Sequence, residues 1–489
     1  ELFGLSEFAK AGVSASQNSG LMLKLDSCSE PAVNTYAGSG LRIDAKNDVE
    51  NNKVSANMGI IYNGMDLVNL DLYYGDDTVM AAVPELSPKV FTLDFGEGLE
   101  ERLKNSPMLG SALEQSGVDA SVMAEYMELL AEQARQTQEG QAASFDLKAL
   151  MKRYREGCKA EDDFKAALTV EKGEKASFTI DGKEQACRGY EVTVSKEAMI
   201  NFLRTSSDFF LQDEVLKKDF LKRLELSVKL SQLAGAQMEG QDFPTAQEMQ
   251  EQTYEEARTE IDGMIAFLDS SLNDVSMTVY VDKEGCLASV KGTTSFNSTG
   301  SEAEPVQLQF GCELKGGAYP TQNMSAQAVL ENGAASVQIE AVKEGAYDGK
   351  ELTSGFELSI ENQGEIAEKW DITLDSSYNS EGGGFDVQAA AAQDGMELLG
   401  FSAQGVVDEL EKGKNIHLTL DSLDVSAMGD TGNAVLSGEY YIRPLTEEVV
   451  PLEGDTMDVL AAGEEEWNSV LMEVLFSFIS LSGQMDTGN

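Results

Sequence analysis

The feature that most constrains the fold is a long run between Asp274 and Arg443 in which apolar and polar residues alternate. In one segment Val306, Leu308 and Phe310 fall at every second position, with polar residues between them. Such alternation is typical of strands with one dry face and one wet face. Turns rich in Asn-Gly, Asp-Gly and paired glycines separate the segments, and short turns join antiparallel neighbours. The sequence therefore predicts an antiparallel meander of roughly eleven strands.

A sheet this wide has to curl, and its apolar face has to be covered. Five stretches with apolar residues at helical spacing could provide the cover. Two of them follow strong capping residues, namely Ser195 and the Thr245–Glu248 capping box. Three of the five lie at 119–139, 215–233 and about 464–481; a fourth begins after Ser195 and carries Met199 to Leu203, and a fifth follows the capping box and extends to Leu272. We predict an α+β fold in which long, curved antiparallel meander sheets wrap or pack on α-helices.

Further strands precede the meander. One cluster lies between Leu21 and Val83, and three more segments lie between Ala166 and Val194. The clearest change in composition falls near Leu272. We predict a mixed strand and helix domain over 1–272 and an extended meander with a docked C-terminal helix over 273–489. One continuous sheet shared by both halves is the alternative.

The chain is strongly acidic, with 85 Asp and Glu against 36 Lys and Arg and a formal net charge of −49. Such a surface repels phosphate backbones and anionic lipid headgroups. The densest basic spots, at 152–155 and 217–223, lie on predicted helices, where a solvated face accounts for them. We therefore expect no nucleic-acid partner, and membrane association only through an anchor upstream of Glu1 that has been removed.

Five cysteines are present, with no CxxC and no metal-ligand spacing. Cys286 and Cys312 are symmetric about a turn near Thr299, so hairpin pairing would bring them nearly opposite each other. Two interpretations remain open. Either both are small buried apolar residues, or they form a cross-strand disulfide, which would favour a compartment outside the cytoplasm.

Catalytic and cofactor motifs are missing from the sequence. His417, the single histidine, alternates with Ile416 and Leu418 and is expected on the polar face of a strand. A histidine metal cluster is therefore excluded, and no P-loop, GxSxG or EF-hand pattern occurs. We predict a protein that is not an enzyme, with no catalytic residue, no cofactor and no metal.

Soft and aromatic residues in the predicted helices suggest a second interpretation of the helical layer. Adaptable side chains of this kind could line a cavity for an acyl chain between sheet and helices, although ordinary core packing explains them equally. The residues concerned are Met199, Phe202, Phe209, Phe210 and Phe220.

Two segments resemble a known group. One runs from Asp181 to Glu197, a turn, then a strand with Cys187 and Tyr190, then a capped helix; the other is the strand pair from Leu70 to Leu86 with an acidic turn. Both resemble uncharacterised anchored extracytoplasmic proteins of gut Clostridia-type Firmicutes. The order of elements over residues 15–270 is similar to the lipoprotein-carrier class, the LolA-like half-barrel. That resemblance implies a half-barrel sheet that wraps helices and holds lipid.

Together these observations predict a non-catalytic binding or structural protein, anchored at the cell surface outside the cytoplasm, whose partner is an unknown protein, a glycan or a hydrophobic ligand. The first alternative is a carrier of a lipid or other hydrophobic ligand between sheet and helices. The second is a carboxylate-dependent glycan hydrolase, which would need paired acids and aromatic platforms. Trp370 and Trp467 are the only tryptophans available for such platforms.

Overall fold

The computed structural model describes residues 15–116, 119–138, 147–235, 244–297, 305–333, 335–364, 367–427 and 432–486. Within these ranges, strands predominate over helices.

The N-terminal strands are β1 Gln17–Cys28, β2 Gly40–Asp48, β3 Lys53–Tyr62, β4 Met65–Gly75, β5 Thr78–Ala82 and β6 Lys89–Asp94. The strands between the helical segments are β7 Thr169–Lys172, β8 Ala176–Ile180 and β9 Lys183–Val194. The meander comprises β10 Val275–Val281, β11 Leu287–Phe296, β12 Val306–Gly316, β13 Asn323–Asn332, β14 Ala335–Tyr347, β15 Glu351–Gln363, β16 Ala367–Asn379, β17 Gly384–Gln393, β18 Met396–Glu411, β19 Asn415–Ala427 and β20 Gly432–Pro444. A short strand follows, β21 Asp455–Asp458.

The helices are α1 Pro31–Asn34, α2 Leu99–Asn105, α3 Leu109–Ser116, α4 Ala120–Gln138, α5 Leu147–Gly157, α6 Ala160–Ala167, α7 Lys196–Gln212, α8 Glu214–Gly235, α9 Ala246–Ser271 and α10 Glu464–Asp486. The predicted caps of α7 and α9 are confirmed. Ser195 Oγ accepts from the backbone N–H of Ala198, and Thr245 and Glu248 form the reciprocal capping box.

All 21 strands belong to one sheet that is not closed. From one edge to the other the order is β21, β6 to β1 in descending order, then β20 to β9 in descending order, with β7 and β8 both pairing with β9. Only β21 and β6 run parallel among the described pairs. The predicted meander is therefore confirmed as an antiparallel sheet. The domain boundary at Leu272 stays a prediction, and strands from both sides of it share this sheet through β1–β20 and β9–β10.

The turns between strands have the backbone conformation that their residues favour. Asn63 and Gly64 both have positive φ, at 50° and 77°, and so do Asp394 and Gly395, at 51° and 77°. Two consecutive positive φ angles match the twist of a tight hairpin, and Asn, Asp and Gly tolerate them best. These local signals explain why sequence patterning locates most strand ends.

Several helices contact one another. Helix α4 contacts α2 and α8, α7 contacts α6, and α9 contacts both α7 and α8. An ion pair fixes the start of α8: Arg153 Nε and Nη2 each donate to the buried carboxylate of Asp213 at 2.9 Å, and Asp213 also accepts from the Leu216 N–H. These hydrogen bonds hold the pKa of Asp213 below its ordinary value.

Direct contact between helices and sheet is clearest at the β6–β21 edge. Leu93 and Phe95 pack on the buried Leu99 and Leu103 of α2, in a cluster that also takes in α4. Phe91, which precedes Leu93 by two positions in β6, stacks on Trp467 of α10 with ring centroids 5.9 Å apart. This edge is therefore the best-covered part of the apolar side of the sheet.

The prediction that Cys286 and Cys312 lie nearly opposite each other is wrong, because the strands pair in a different register. The turn near Thr299 lies outside the described residues, but the flanking strands pair so that Cys312 faces Val290. Cys286 lies four positions from Val290, before β11 begins, which corresponds to ~14 Å along a strand. A disulfide requires Cα atoms within ~7 Å. Both cysteines are free thiols. The alternative that both are buried is also wrong, because Cys286 is exposed and Cys312 is half-buried.

Candidate functional site

One side of the sheet is apolar from strand to strand, and we call it the apolar face. In an antiparallel sheet, residues opposite each other in register point to the same side. Following the register across the meander therefore gives a row of residues on one face. One such row comprises Val192, Met277, Gly292, Phe310, Ala328, Ile339, Ile360 and Trp370, from β9 to β16.

The apolar face continues through the junction with the N-terminal strands. Val407 of β18 begins a second row, which crosses from β20 to β1 and ends on β4. Its members are Val407, Leu418, Tyr440, Leu21, Ile43, Met58 and Leu70. The register thus makes a single apolar face out of strands that are up to about 400 residues apart in sequence.

Large side chains on this face stay accessible to solvent. Leu374 is 43% exposed, Phe401 is 40% exposed and Ile60 is 51% exposed. An isolated exposed apolar residue is ordinary, but a contiguous apolar surface marks a binding site or a liability for aggregation. The apolar face is therefore the candidate functional site.

A buried cluster on the apolar face lies where the strands carry bulges. Tyr378, Val407 and Ile416 are buried together there. The register shifts between Val407 and Glu409 and between Leu420 and Leu423. Bulges bend a strand and increase its twist.

The opposite side of the sheet, the polar face, carries a connected set of hydrogen bonds. Arg42 Nη1 donates to Asp66 at 3.0 Å, and its Nη2 donates to Asn57 and Asn69 at 3.2 and 3.1 Å. Asn69 in turn donates to Glu85 at 2.7 Å through its side chain. These donors keep the pKa of Glu85 below its ordinary value despite burial, which acts in the other direction. The set joins three strands and has no free cation for an anionic ligand.

His417 also lies on the polar face, as predicted from its alternation. Its Nδ1 is 2.6 Å from Asp408 Oδ1, and its Nε2 is 3.7 Å from Glu439 Oε2. The imidazole is only 17% exposed, so His417 is half-buried. Its neighbours are carboxylates, and no nucleophilic side chain is among its contacts in the described residues.

Metal binding and membrane spanning can both be considered for the described residues. No group of three or more His, Cys, Asp and Glu side chains in these residues is arranged to hold a metal ion. In the described parts of the chain, every helix is too short or too polar to cross a bilayer.

The five residues predicted to line a cavity are distributed over several helix contacts. Phe209 and Phe210 pack on Tyr154 of α5, with Phe210 stacked at 5.1 Å between centroids. Phe202 packs on Phe164 of α6 at 5.3 Å, and Phe220 packs on Tyr254 of α9 at 5.9 Å. All four rings and Met199 are half-buried. Their role as a ligand lining stays a prediction.

One charged residue on the apolar face was not selected from the sequence. Lys343 of β14 lies between Met324 and Phe356 in register. Its Nζ is 3.2 Å from the Tyr319 hydroxyl and 5.1 Å from the centroid of the Tyr319 ring. The available signal was its place in the alternation, because Lys343 follows Ile339 and Ala341 at every second position along the same strand.

Comparisons with known proteins leave the family of this chain open. No protein-family model matches it, and the search of curated proteins found no match. Among solved structures, it aligns with a CymD monoaromatic hydrocarbon channel over 91% of this chain and 92% of that chain, at 7% identity and a TM-score of 0.14. That score is too low to indicate a shared fold, so nothing about this protein is inferred from the channel.

Proposed function

We propose that this protein is a non-catalytic binding protein that holds a lipid-like hydrophobic ligand on the apolar face of its sheet. The observation that carries the proposal is the continuity of that face, whose large side chains remain about half exposed. Covering such side chains with hydrocarbon gains roughly 25 cal/mol for each Å² removed from water. The ligand would supply the cover that the helices do not.

The chemistry of the face favours acyl chains. The backbone N–H and C=O groups of the sheet are used in strand pairing, and the rows consist mainly of Ala, Val, Ile, Leu and Phe. Such a surface offers few hydrogen-bond partners, and a hydrocarbon tail needs none.

We further propose that the sheet curves around the apolar face. Two features support curvature. Tyr378, Val407 and Ile416 are buried in a cluster made only of residues from β15 to β20, and bulges occur at these strands. A flat sheet leaves its face residues exposed unless another layer covers them. A curved sheet would bring neighbouring rows together and form a trough for the ligand.

The proposed location is outside the cytoplasm, at the cell surface. This part of the proposal is supported by the resemblance to anchored extracytoplasmic proteins. Fractionation of the native host with an antibody against the folded protein tests it, and recovery in the cytoplasmic fraction would contradict it.

The apolar face can be tested by a pair of matched double variants. Leu374 and Phe401 lie on the apolar face, and their chain neighbours Thr373 and Ser402 lie on the polar face. Binding of a fluorescent fatty acid should weaken about tenfold in Leu374→Asn/Phe401→Asn, because two apolar contacts are lost. Thr373→Asn/Ser402→Asn should bind like the unmodified protein.

Equal binding by both double variants, with circular dichroism showing that both are folded, would remove the apolar face from the proposal. Absence of any fatty-acid binding by the unmodified protein, together with no lipid in organic extracts of it, would remove the function itself.

A further inference from the structure

Lys343 is an unusual residue for its position. Its cross-strand neighbours Met324 and Phe356 and its strand neighbour Ala341 are all uncharged. The side chain is half-buried, and its ammonium meets the hydroxyl and ring of Tyr319, in the turn after β12. Placing a cation on an apolar surface costs free energy unless a partner compensates for its lost hydration.

No carboxylate lies within 4.0 Å of Lys343 Nζ among the described residues. Many lysines of this acidic chain form ion pairs, and Lys343 is distinguished by lacking a carboxylate partner in the described part of the chain while lying half-buried among uncharged cross-strand neighbours. The lysines whose Nζ lies 2.6–3.9 Å from a carboxylate oxygen include Lys24, Lys46, Lys53, Lys152, Lys165, Lys196, Lys217, Lys283, Lys291, Lys350 and Lys369. Its environment therefore leaves a positive charge available to an anion from outside the chain.

The surroundings of Lys343 match the shape of a fatty acid. The ammonium and the Tyr319 hydroxyl provide two adjacent donors, one for each oxygen of a carboxylate. The register continues from Lys343 across four strands to Phe401, through a row made up of Phe356, Leu374 and Ala389. Four strand spacings amount to ~19 Å. One acyl chain fills half of the ~30 Å hydrocarbon core of a bilayer, so ~15 Å, and fits this row.

We propose that Lys343 and Tyr319 form the head-group site for the carboxylate of a single-chain fatty acid, whose tail lies along the row that ends at Phe401. This inference rests on the proposed function and adds the class of ligand and its orientation. The complementarity is electrostatic at the head and apolar along the tail, and the remaining acidic surface disfavours anions elsewhere.

The test compares palmitate with 1-hexadecanol, which has the same tail and no charge. Lys343→Met keeps the length of the side chain and removes its charge, and Lys369→Met does the same to a polar-face lysine that pairs with Asp371 at 2.9 Å. Hydrogen bonds to charged groups predict about tenfold weaker palmitate binding by Lys343→Met, with hexadecanol binding unchanged. Lys369→Met should bind both probes normally. If Lys343→Met fails to fold, Tyr319→Phe replaces it with the same expected direction.

Several results would overturn the inference. If Lys343→Met binds palmitate as the unmodified protein does, or loses the same affinity for both probes, Lys343 is not a head-group site. The proposed function still stands in that case if the unmodified protein binds hexadecanol. A loss confined to a single-chain phosphate ester, with palmitate unaffected, replaces the carboxylate by a phosphate. Binding of neither probe to the unmodified protein contradicts both proposals at once.

Discussion

At the residue scale, adjacent side chains of one strand lie on opposite faces of the sheet and make different contacts. Tyr440 lies on the apolar face, whereas Tyr441 lies on the polar face and donates to Asp44 Oδ1 at 2.7 Å. The Tyr441 ring also fills the space beside Gly20, where an added Cβ would lie 2.2 Å from a ring carbon. Glycine at position 20 is thus required by the close approach of the tyrosine.

Tyr441 gives the protein a defined alkaline sensitivity. Burial, and then the hydrogen bond to Asp44, raises the pKa of Tyr441 to about 12, against an ordinary value of 10.0. A group whose pKa is raised by folding stabilises the folded state fully below its unfolded pKa and loses that contribution as the pH rises through the folded pKa. The contribution of Tyr441 should therefore disappear between about pH 10 and pH 12.

We expect Tyr441→Phe to lower the free energy of unfolding by about 1 kcal/mol at pH 8, because one hydrogen bond is lost. The difference from the unmodified protein should shrink as the pH approaches 12. Denaturant unfolding measured at several pH values tests this, with Tyr36→Phe, an exposed tyrosine in the turn after α1, as the control. A difference that stays constant from pH 8 to pH 12 would contradict the assignment.

At the scale of elements, caps and turns, which depend on neighbouring residues, are predicted better from the sequence than the pairing of distant strands. The caps of α7 and α9 and the Asp394–Gly395 turn follow from residues next to one another, so the sequence identifies them. The register of Cys312 depends on where the preceding hairpin is centred, and a shift of two positions in that centre changed its partner. Strands β1 and β20 pair although they are far apart in sequence, so no local sequence pattern predicts that pairing.

The capping box of α9 supplies a second test. Thr245 Oγ1 accepts from the Glu248 N–H at 3.2 Å, and Glu248 Oε2 accepts from the Thr245 N–H at 2.8 Å. Thr245→Ala should lower the free energy of unfolding by about 1 kcal/mol. Thr253→Ala, within the same helix, should have little effect or stabilise slightly, because alanine is the better helix former. If thermal or denaturant unfolding shows that both variants lower the free energy of unfolding equally, the loss does not come from the capping box.

At the scale of the whole molecule, the sequence indicates an apolar face but not what covers it. Alternation predicts that Val306, Leu308 and Phe310 lie on the dry side of their strand, and the register places Phe310 in one row with Ala328 and Ile339. Alternation is the same whether helices, another sheet or a ligand covers that face. The four predicted rings pack on other helix residues, whereas sheet residues such as Leu374 stay exposed, which is why the candidate site lies on the sheet and not at the five predicted helix residues.

The same limit explains why Lys343 was overlooked. On the sequence it is one of 36 basic residues, and only the register shows that it lies among apolar neighbours. Its isolation from carboxylates is likewise a property of the folded sheet. A head-group site built from residues of β14 and of the turn after β12 could not be seen in either segment alone.

Tryptophan fluorescence provides the most direct test of the central claim, that the apolar face holds a hydrophobic ligand. Leu374 lies in the row proposed for the ligand tail and is 43% exposed, whereas Trp370 lies four positions along the same strand, ~14 Å away. In a Trp370→Phe/Trp467→Phe/Leu374→Trp variant, all tryptophan emission comes from position 374. A fatty acid brominated along its tail quenches only a fluorophore that it nearly contacts. Saturable quenching of this emission by the brominated fatty acid, reversed by unlabelled palmitate, is the predicted result; binding of the brominated fatty acid that leaves the emission unchanged would contradict the account.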